Sequence, residues 1–282
     1  MLGTVVGRWR YGHPVADFLD ADLTGSRFQR VDLTDARFES VDLSGAEIRM
    51  ADLNGTTFRA VELNGVVMRG VELVDVDIYG EIGKLTINGV DVGPLVNDEL
   101  DRRYPERVAM RPTDAAGFRA AWDVVERLWG GTVERARRLD PALLHESVDG
   151  EWSFIETLRH LAFATDAWVG RAILGDAAPW HPLDLPWDEM PDTPGVPRDR
   201  AARPSLERVL ELRRDRMSTV RRVVDDLTEE SLAGHTEPIE GPGWPRPRSF
   251  PVRECLLIVL NEEWEHRLYA ERDLDALEAR ST

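Results

Sequence analysis

Between Ala16 and Gly80 a large apolar residue recurs at every fifth position, thirteen times in succession: Phe18, Leu23, Phe28, Leu33, Phe38, Leu43, Ile48, Leu53, Phe58, Leu63, Met68, Leu73 and Ile78. A small or β-branched residue stands two positions before each, from Ala16, Ala21 and Ser26 to Val71 and Val76. A period of five suits neither regular element. Five residues advance a helix by roughly 500°, so successive centres drift about 140° round the axis. In a flat strand an odd step moves the side chain to the opposite face. One face stays inward only if the chain turns a corner in every block, which predicts a solenoid. The register fails from Glu81, and Thr86 to Val92 reads as a short hairpin around Asn88-Gly89, with Gly93-Pro94 breaking it. Met1 to Val15, with Trp9 and Tyr11, is placed to plug the other end.

Beyond about Asn97 the periodicity becomes helical. The first predicted helix runs from about Thr113 to Leu139, with Phe118, Trp122, Val125, Trp129, Val133 and Ala136 on one face and a kink expected at Gly130-Gly131. The second covers about Ser153 to Leu174, its start marked by capping-box spacing between Ser153 and Glu156. The third covers about Ser205 to Leu227 and the last about Pro251 to Leu277. Pro-rich loops, Gly175 to Pro204 and Ser231 to Phe250, separate these helices, and long loops of that kind commonly wall a site. The expected architecture is a four-helix bundle.

The clearest blocks, Ala21-Asp22-Leu23 and Ala51-Asp52-Leu53, resemble the pentapeptide-repeat family. The resemblance implies a right-handed quadrilateral β-helix of about twenty residues per coil, hence just over three coils and roughly 15 Å of stack. The fold class expected for the whole chain is therefore β + α, a β-solenoid with caps over residues 1–96 and a helical bundle over 97–282. A solenoid is a shape rather than a chemistry, so it does not by itself assign a function.

Composition narrows the partners. The formal charge is −17 over 282 residues with a pI near 4.8, which argues against a nucleic-acid groove or an anionic membrane surface. The single cysteine, Cys255, allows no internal disulfide framework and suits a reducing compartment. The opening residues lack a signal-peptide plan and no apolar run reaches membrane-spanning length, so the expected location is cytoplasmic.

Candidate chemistry sits on the last helix. Cys255, Val259, Glu262, His266 and Ala270 form one helix face, apolar at both ends, with an acid and an imidazole one turn apart. A carboxylate on a buried stripe needs a partner, because an unpaired buried charge is costly. The second helix offers His160, beside Phe163, Ala164 and Ala167. Two histidines and a glutamate from two helices would leave open positions on a divalent metal, though the spacing alone fits an ordinary surface pair equally well.

Gly150-Glu151-Trp152-Ser153 leading into Leu158-Arg159-His160-Leu161, with Asn261-Glu262-Glu263-Trp264-Glu265-His266-Arg267 near the C-terminus, resembles the DinB-like four-helix bundles over roughly residues 97–282. Many members carry histidine at both last-helix positions. This chain has Glu262 at the first, as in the mycothiol-dependent maleylpyruvate-isomerase branch. The resemblance implies His160, Glu262 and His266 as metal ligands, zinc most naturally, with nickel, iron or manganese accepted by similar donors. It also implies a transferase or isomerase that uses a low-molecular-weight thiol as cosubstrate against a small electrophile. A metal-activated water performing hydrolysis would use the same three residues.

The remaining candidates read as structural. Cys255 is a small core residue, His181 a solvated loop residue or pocket group, and Trp264 and Tyr269 packing residues or pocket walls. His13, His145 and His235 lack a partner at ligand spacing. Glu263, about 100° round the helix from Glu262, is expected to be exposed. A second class of function is open to the repeat region, which carries thirteen acidic residues against six arginines, a net of −7. That surface could serve as a spacer, a homodimer or protein-partner interface, or a mimic of DNA charge.

Overall fold

Turns placed at five-residue intervals organise the N-terminal part of the computed structural model, which describes residues 4–10, 13–30, 33, 36, 38, 41–58, 61–80, 82–188 and 190–280. The chain divides into two compact units, Met1–Val76 and Asp77–Thr282. In the first, β1 (Thr4–Arg10) pairs antiparallel with β2 (His13–Leu19), Thr4 opposite Leu19 and Arg10 opposite His13. The segment expected to plug the solenoid is thus one arm of a hairpin whose second arm takes in the first repeat block.

From there every described fifth position to residue 80 has positive φ, whether glycine (Gly25 +75°, Gly45 +73°) or not (Asp20 +48°, Arg30 +57°, Met50 +50°, Asp75 +52°). Left-handed backbone is disfavoured for residues with a Cβ, so its recurrence at one phase of the repeat marks a corner in each block. Aspartates of the A-D-L and V-D-L triplets fix these corners. Asp22 accepts from Thr24 N at 3.0 Å, Asp42 from Ser44 N at 2.8 Å and Asp52 from Asn54 N at 3.0 Å. The adjoining turns close through Ser26 N to Leu23 O and Ala46 N to Leu43 O, both 2.9 Å. The described block centres stay exposed, Leu43 by 55% and Leu53 by 51%, and no β-strand occurs among the described residues between 20 and 85. The corners are present; the ladder of a closed β-helix is not shown.

The second unit starts with the expected hairpin, β3 (Thr86–Ile87) and β4 (Val90–Asp91), joined by Asn88 and Gly89 at φ +49° and +83°, the two positive values a type I′ turn requires. Gly93-Pro94 ends the hairpin, as its sequence predicts. It opens helix α1 (Gly93–Arg103), where proline's missing N–H and fixed φ suit the first turn, and the expected boundary at 96/97 falls inside this helix.

A 3₁₀ turn, Pro105–Met110, leads to the long helices. Helix α2 (Ala115–Ala136) is capped by Asp114, which accepts from Gly117 N, and it runs through exposed Gly130-Gly131 without interruption. Helix α3 (Phe154–Thr165) starts at a full capping box: Ser153 Oγ accepts from Glu156 N, and Glu156 returns the contact to Ser153 N at 2.9 Å. It continues as a π-helix, Asp166–Ile173, so the expected second helix is present with its C-terminal half widened. There Gly170 lies against Pro179, where a Cβ would sit 2.9 Å from the proline side chain. Helix α4 (Leu206–Asp225), the short α5 (Glu229–Leu232) and α6 (Val252–Arg280) complete the unit.

Helix α2 packs on α4 and α6, and α3 packs on the same two, which makes a four-helix bundle with α2 and α3 on one diagonal. Phe118, Trp122, Val125 and Trp129 meet Leu158, Leu161, Val209, Val220, Leu256 and Leu274 in one core. Its apolar burial is the main stabilising term. None of the described helices is long and apolar enough to cross a membrane.

Candidate metal centre

The capping box sets the phase of α3, and that phase turns His160 into the bundle, where it is buried. Its Nδ1 lies 2.9 Å from the carbonyl oxygen of Leu185, in the loop that follows the π-helix. A carbonyl can only accept, so Nδ1 carries a proton, which in the neutral ring leaves Nε2 with a lone pair. That lone pair faces Glu262 Oε2 at 3.3 Å, and His266 Nε2 reaches the same oxygen at 3.1 Å. Ligand atoms of the three residues all lie within 4.8 Å of one another. The imidazole centroids are 4.9 Å apart.

Burial lowers the basicity of His160, outweighing the pull of Glu262, and so favours the neutral ring. For Glu262 burial works toward the acid form, but contacts with both histidines overcome it and hold the carboxyl well below its usual range. A carboxylate oxygen and a neutral imidazole nitrogen are both acceptors. Two acceptors at 3.3 Å call for a positive centre between them, either a proton or a metal ion. The donor set, two imidazoles and one carboxylate with no fourth ligand among the described residues, fits a divalent ion with an open position.

Trp152 covers the pair. It stacks on His266 with rings 9° from parallel at 5.7 Å and tilts over His160 at 4.5 Å. Tyr269 meets the edge of His266 at 6.0 Å. On the other side of His160, Phe163 contacts Trp180 and Trp187 from the first long loop, and Trp187 meets Trp244 from the second. Both expected loops therefore supply an aromatic wall beside the triad. Two buried arginines hold them in place through backbone carbonyls. Arg159 donates to Leu183 O (2.7 Å) and Asp199 O (2.6 Å), and Arg171 to Ile239 O (2.9 Å) and Gly241 O (3.0 Å). A hollow of about 290 Å³ lies within the first loop between Pro186, Met190 and Arg198, and none of the three triad residues lines it.

Glu263 corrects the sequence reading. It is buried, with 1% of its surface exposed, and both its oxygens bond Arg213 Nη2 from α4 at 2.8 and 2.7 Å. Arg213 also lies 5.8 Å from the Trp129 ring. Cys255 is a core residue as expected, and burial raises its thiol to about 11. His181 is half-buried; its Nδ1 accepts from Leu183 N, a structural turn contact. His145 and His235 lie outside the triad, while the side chain of His13 lies outside the described residues. Sequence reasoning missed the Leu185 carbonyl, the covering role of Trp152 and the Arg159 anchor. Of these only Trp152, placed just before a capping box, left any trace in the sequence.

A four-helix bundle with an inward His-Glu-His group on two of its helices presents a donor set that could hold a metal ion. Residues 125–270 match the model of the DinB superfamily, and the chain belongs to that superfamily. Residues 16–55 match pentapeptide repeats in eight copies. No curated protein and no solved structure matches the chain. Membership supports a metal-dependent activity in coarse terms.

Proposed function

We propose that the protein is a metal-dependent enzyme in which His160, Glu262 and His266 hold one divalent ion, zinc first, and that it transfers or isomerises a small electrophile with the help of a low-molecular-weight thiol. The observation that carries this is the convergence of three acceptor atoms on one point, with the His160 proton committed to Leu185 on the far side of the ring. A divalent ion held there supplies Lewis acidity that lowers the pKa of a coordinating thiol toward neutrality. Leu185 fixes the tautomer of His160, Glu262 brings the single negative charge, and Trp152 shields both imidazoles from water. The Phe163–Trp180–Trp187 wall offers an apolar approach for an uncharged substrate, placing the thiol carbon chain and the electrophile side by side. No protein nucleophile is required, in keeping with the inert, buried Cys255. The partner is thus a small molecule rather than nucleic acid or membrane, and the cytoplasm is the compartment the single cysteine suits.

The test is consumption of a maleyl and epoxide panel by zinc-loaded protein. Turnover should need both thiol and metal, and Glu262→Gln should reduce it at least about 10-fold by weakening the ligand set. Metal-dependent turnover indifferent to thiol would instead favour the hydrolytic use of the same residues.

For the repeat region we propose a right-handed quadrilateral β-helix that acts as a protein or homodimer interface. The recurrent corners and the pentapeptide match support the coil; the net −7 charge favours a basic partner surface. Coil stacking would cover the block centres, so Leu53→Ala should destabilise this unit by about 2–5 kcal/mol and Arg49→Ala by less than about 0.5 kcal/mol in urea melts. Equal, small losses at both positions would rule the coil out.

A further inference from the structure

The proposed centre leaves one buried cluster of ionisable groups without a role. Asp166 opens the π-helical part of the second bundle helix, and Asp184 lies in the loop beyond; both are buried. Asp184 Oδ2 accepts from His181 N at 2.8 Å. Its Oδ1 is buried with no hydrogen-bond partner among the described residues, and the carboxyl of Asp166 is the neighbouring charge that acts on it. Asp166 Oδ2 in turn accepts from Arg216 Nη2 at 2.8 Å.

The surrounding charges are few. From α4 come Arg216, which also donates to Pro179 O at 3.2 Å and pairs with Asp215, and the exposed Asp215 itself. From the loop comes His181, neutral because its Nδ1 accepts a backbone N–H, with Arg208 acting on it from a distance. One arginine balances one buried carboxylate. Two carboxyl groups can bond each other only if one carries a proton, and the orphaned Asp184 oxygen is where a proton would remove the deficit.

We propose that Asp166 and Asp184 share one proton and that this acid pair is a positioning device, pinning the 181–185 segment to the π-helix so that the Leu185 carbonyl holds His160 Nδ1. The covalent path is short: Asp184 immediately precedes Leu185. The consequence for function rests on the metal-site reading above; the shared proton does not. Burial first, and then the Asp166 charge, push Asp184 up to about 8. Burial likewise raises Asp166, against the pull of Arg216. The pinning contact is therefore intact below that pH and is lost as pH rises through it, when two buried carboxylates face a single arginine.

The experiment uses the full-length protein without added metal. Infrared difference spectra near neutral pH read the carbonyl stretch of a protonated carboxylic acid, and ¹⁵N NMR reads the tautomer of His160 across pH 6–10. Wild type should show a protonated-acid band that vanishes in Asp184→Asn, and should lose the Nδ1–H tautomer as the pH passes about 8. Asp184→Asn, whose amide donates to Asp166 at every pH, should keep that tautomer throughout. Asp166→Asn supplies the same comparison if the first variant does not fold. Absence of the band in wild type overturns the shared proton. A wild-type tautomer as insensitive to alkaline pH as the variant's overturns the positioning role. Both readouts are free of metal, so failure of the protein to bind zinc would strike the metal-site reading and leave this one standing.

Discussion

His266→Ala is expected to lower affinity for a divalent ion by more than about 100-fold, because loss of an outer partner alone commonly costs about 10–100-fold. The side chain is partly exposed and lies at the edge of the core, so the metal-free variant should fold. The contrast will therefore appear in thermal melts with and without zinc. At zinc concentrations near 100 Kd the wild type should gain about 2.7 kcal/mol of stability, which corresponds to a rise of about 5–10 °C for a unit the size of residues 77–282. The variant should gain almost nothing at the same zinc level. An equal rise in both proteins would place the ion elsewhere.

The second large effect concerns the neighbouring residue. Glu263→Ala removes the acceptor of Arg213 and leaves a guanidinium buried between α4 and α6, already carrying one nitrogen without a hydrogen-bond partner among the described residues. Breaking a buried ion pair from one side typically costs about 3–5 kcal/mol. Burial raises the Glu263 carboxyl while Arg213 pulls it back, so the pair rests on mutual compensation rather than on solvent. Replacing both partners with apolar residues of similar volume, Glu263→Leu with Arg213→Met, should restore most of the loss or improve on the wild type. Urea denaturation of the single and double variants checks this. A single-variant loss below about 1 kcal/mol would show that the pair is solvated.

These two adjacent glutamates also show what a sequence can and cannot disclose. Glu262 and His266 are one turn apart, so their meeting follows from helix geometry. His160 lies about a hundred residues earlier; the sequence offers it as a candidate on another helix, only the family resemblance makes the two helices neighbours, and the structure puts its ring 4.9 Å from that of His266. Helix geometry sets Glu263 about 100° away from the stripe and so predicts exposure. Such exposure requires a helix with one buried face. Helix α6 packs against α2, α3 and the π-helix together, and buries Leu256, Leu260, Glu263 and Trp264 over a wide arc. Its partner Arg213 is fifty positions away and carries no local mark.

Backbone groups are harder still to anticipate. The carbonyl of Leu185 decides the tautomer of a candidate ligand, but any residue at that position supplies a carbonyl. The helices themselves were legible, since caps and periodicity are local: Ser153 with Glu156 fixed the start of α3. The π-helical widening was not, because it accompanies tertiary contacts of Asp166 with Arg216 and of Gly170 with Pro179. In the repeat region the corners followed from the five-residue period, whereas pairing between coils is a long-range property that a block pattern implies only through resemblance.

The central claim is that His160, Glu262 and His266 hold a metal ion. Zinc titration of metal-free protein against a competing chelator, with wild type and His160→Ala side by side, tests it most directly. One tight site per chain is expected in the wild type, weakened as pH falls because protons compete with the ion for the donor atoms, with loss of that site in the variant. Absence of stoichiometric binding in the wild type, or equal binding by both proteins, would contradict it.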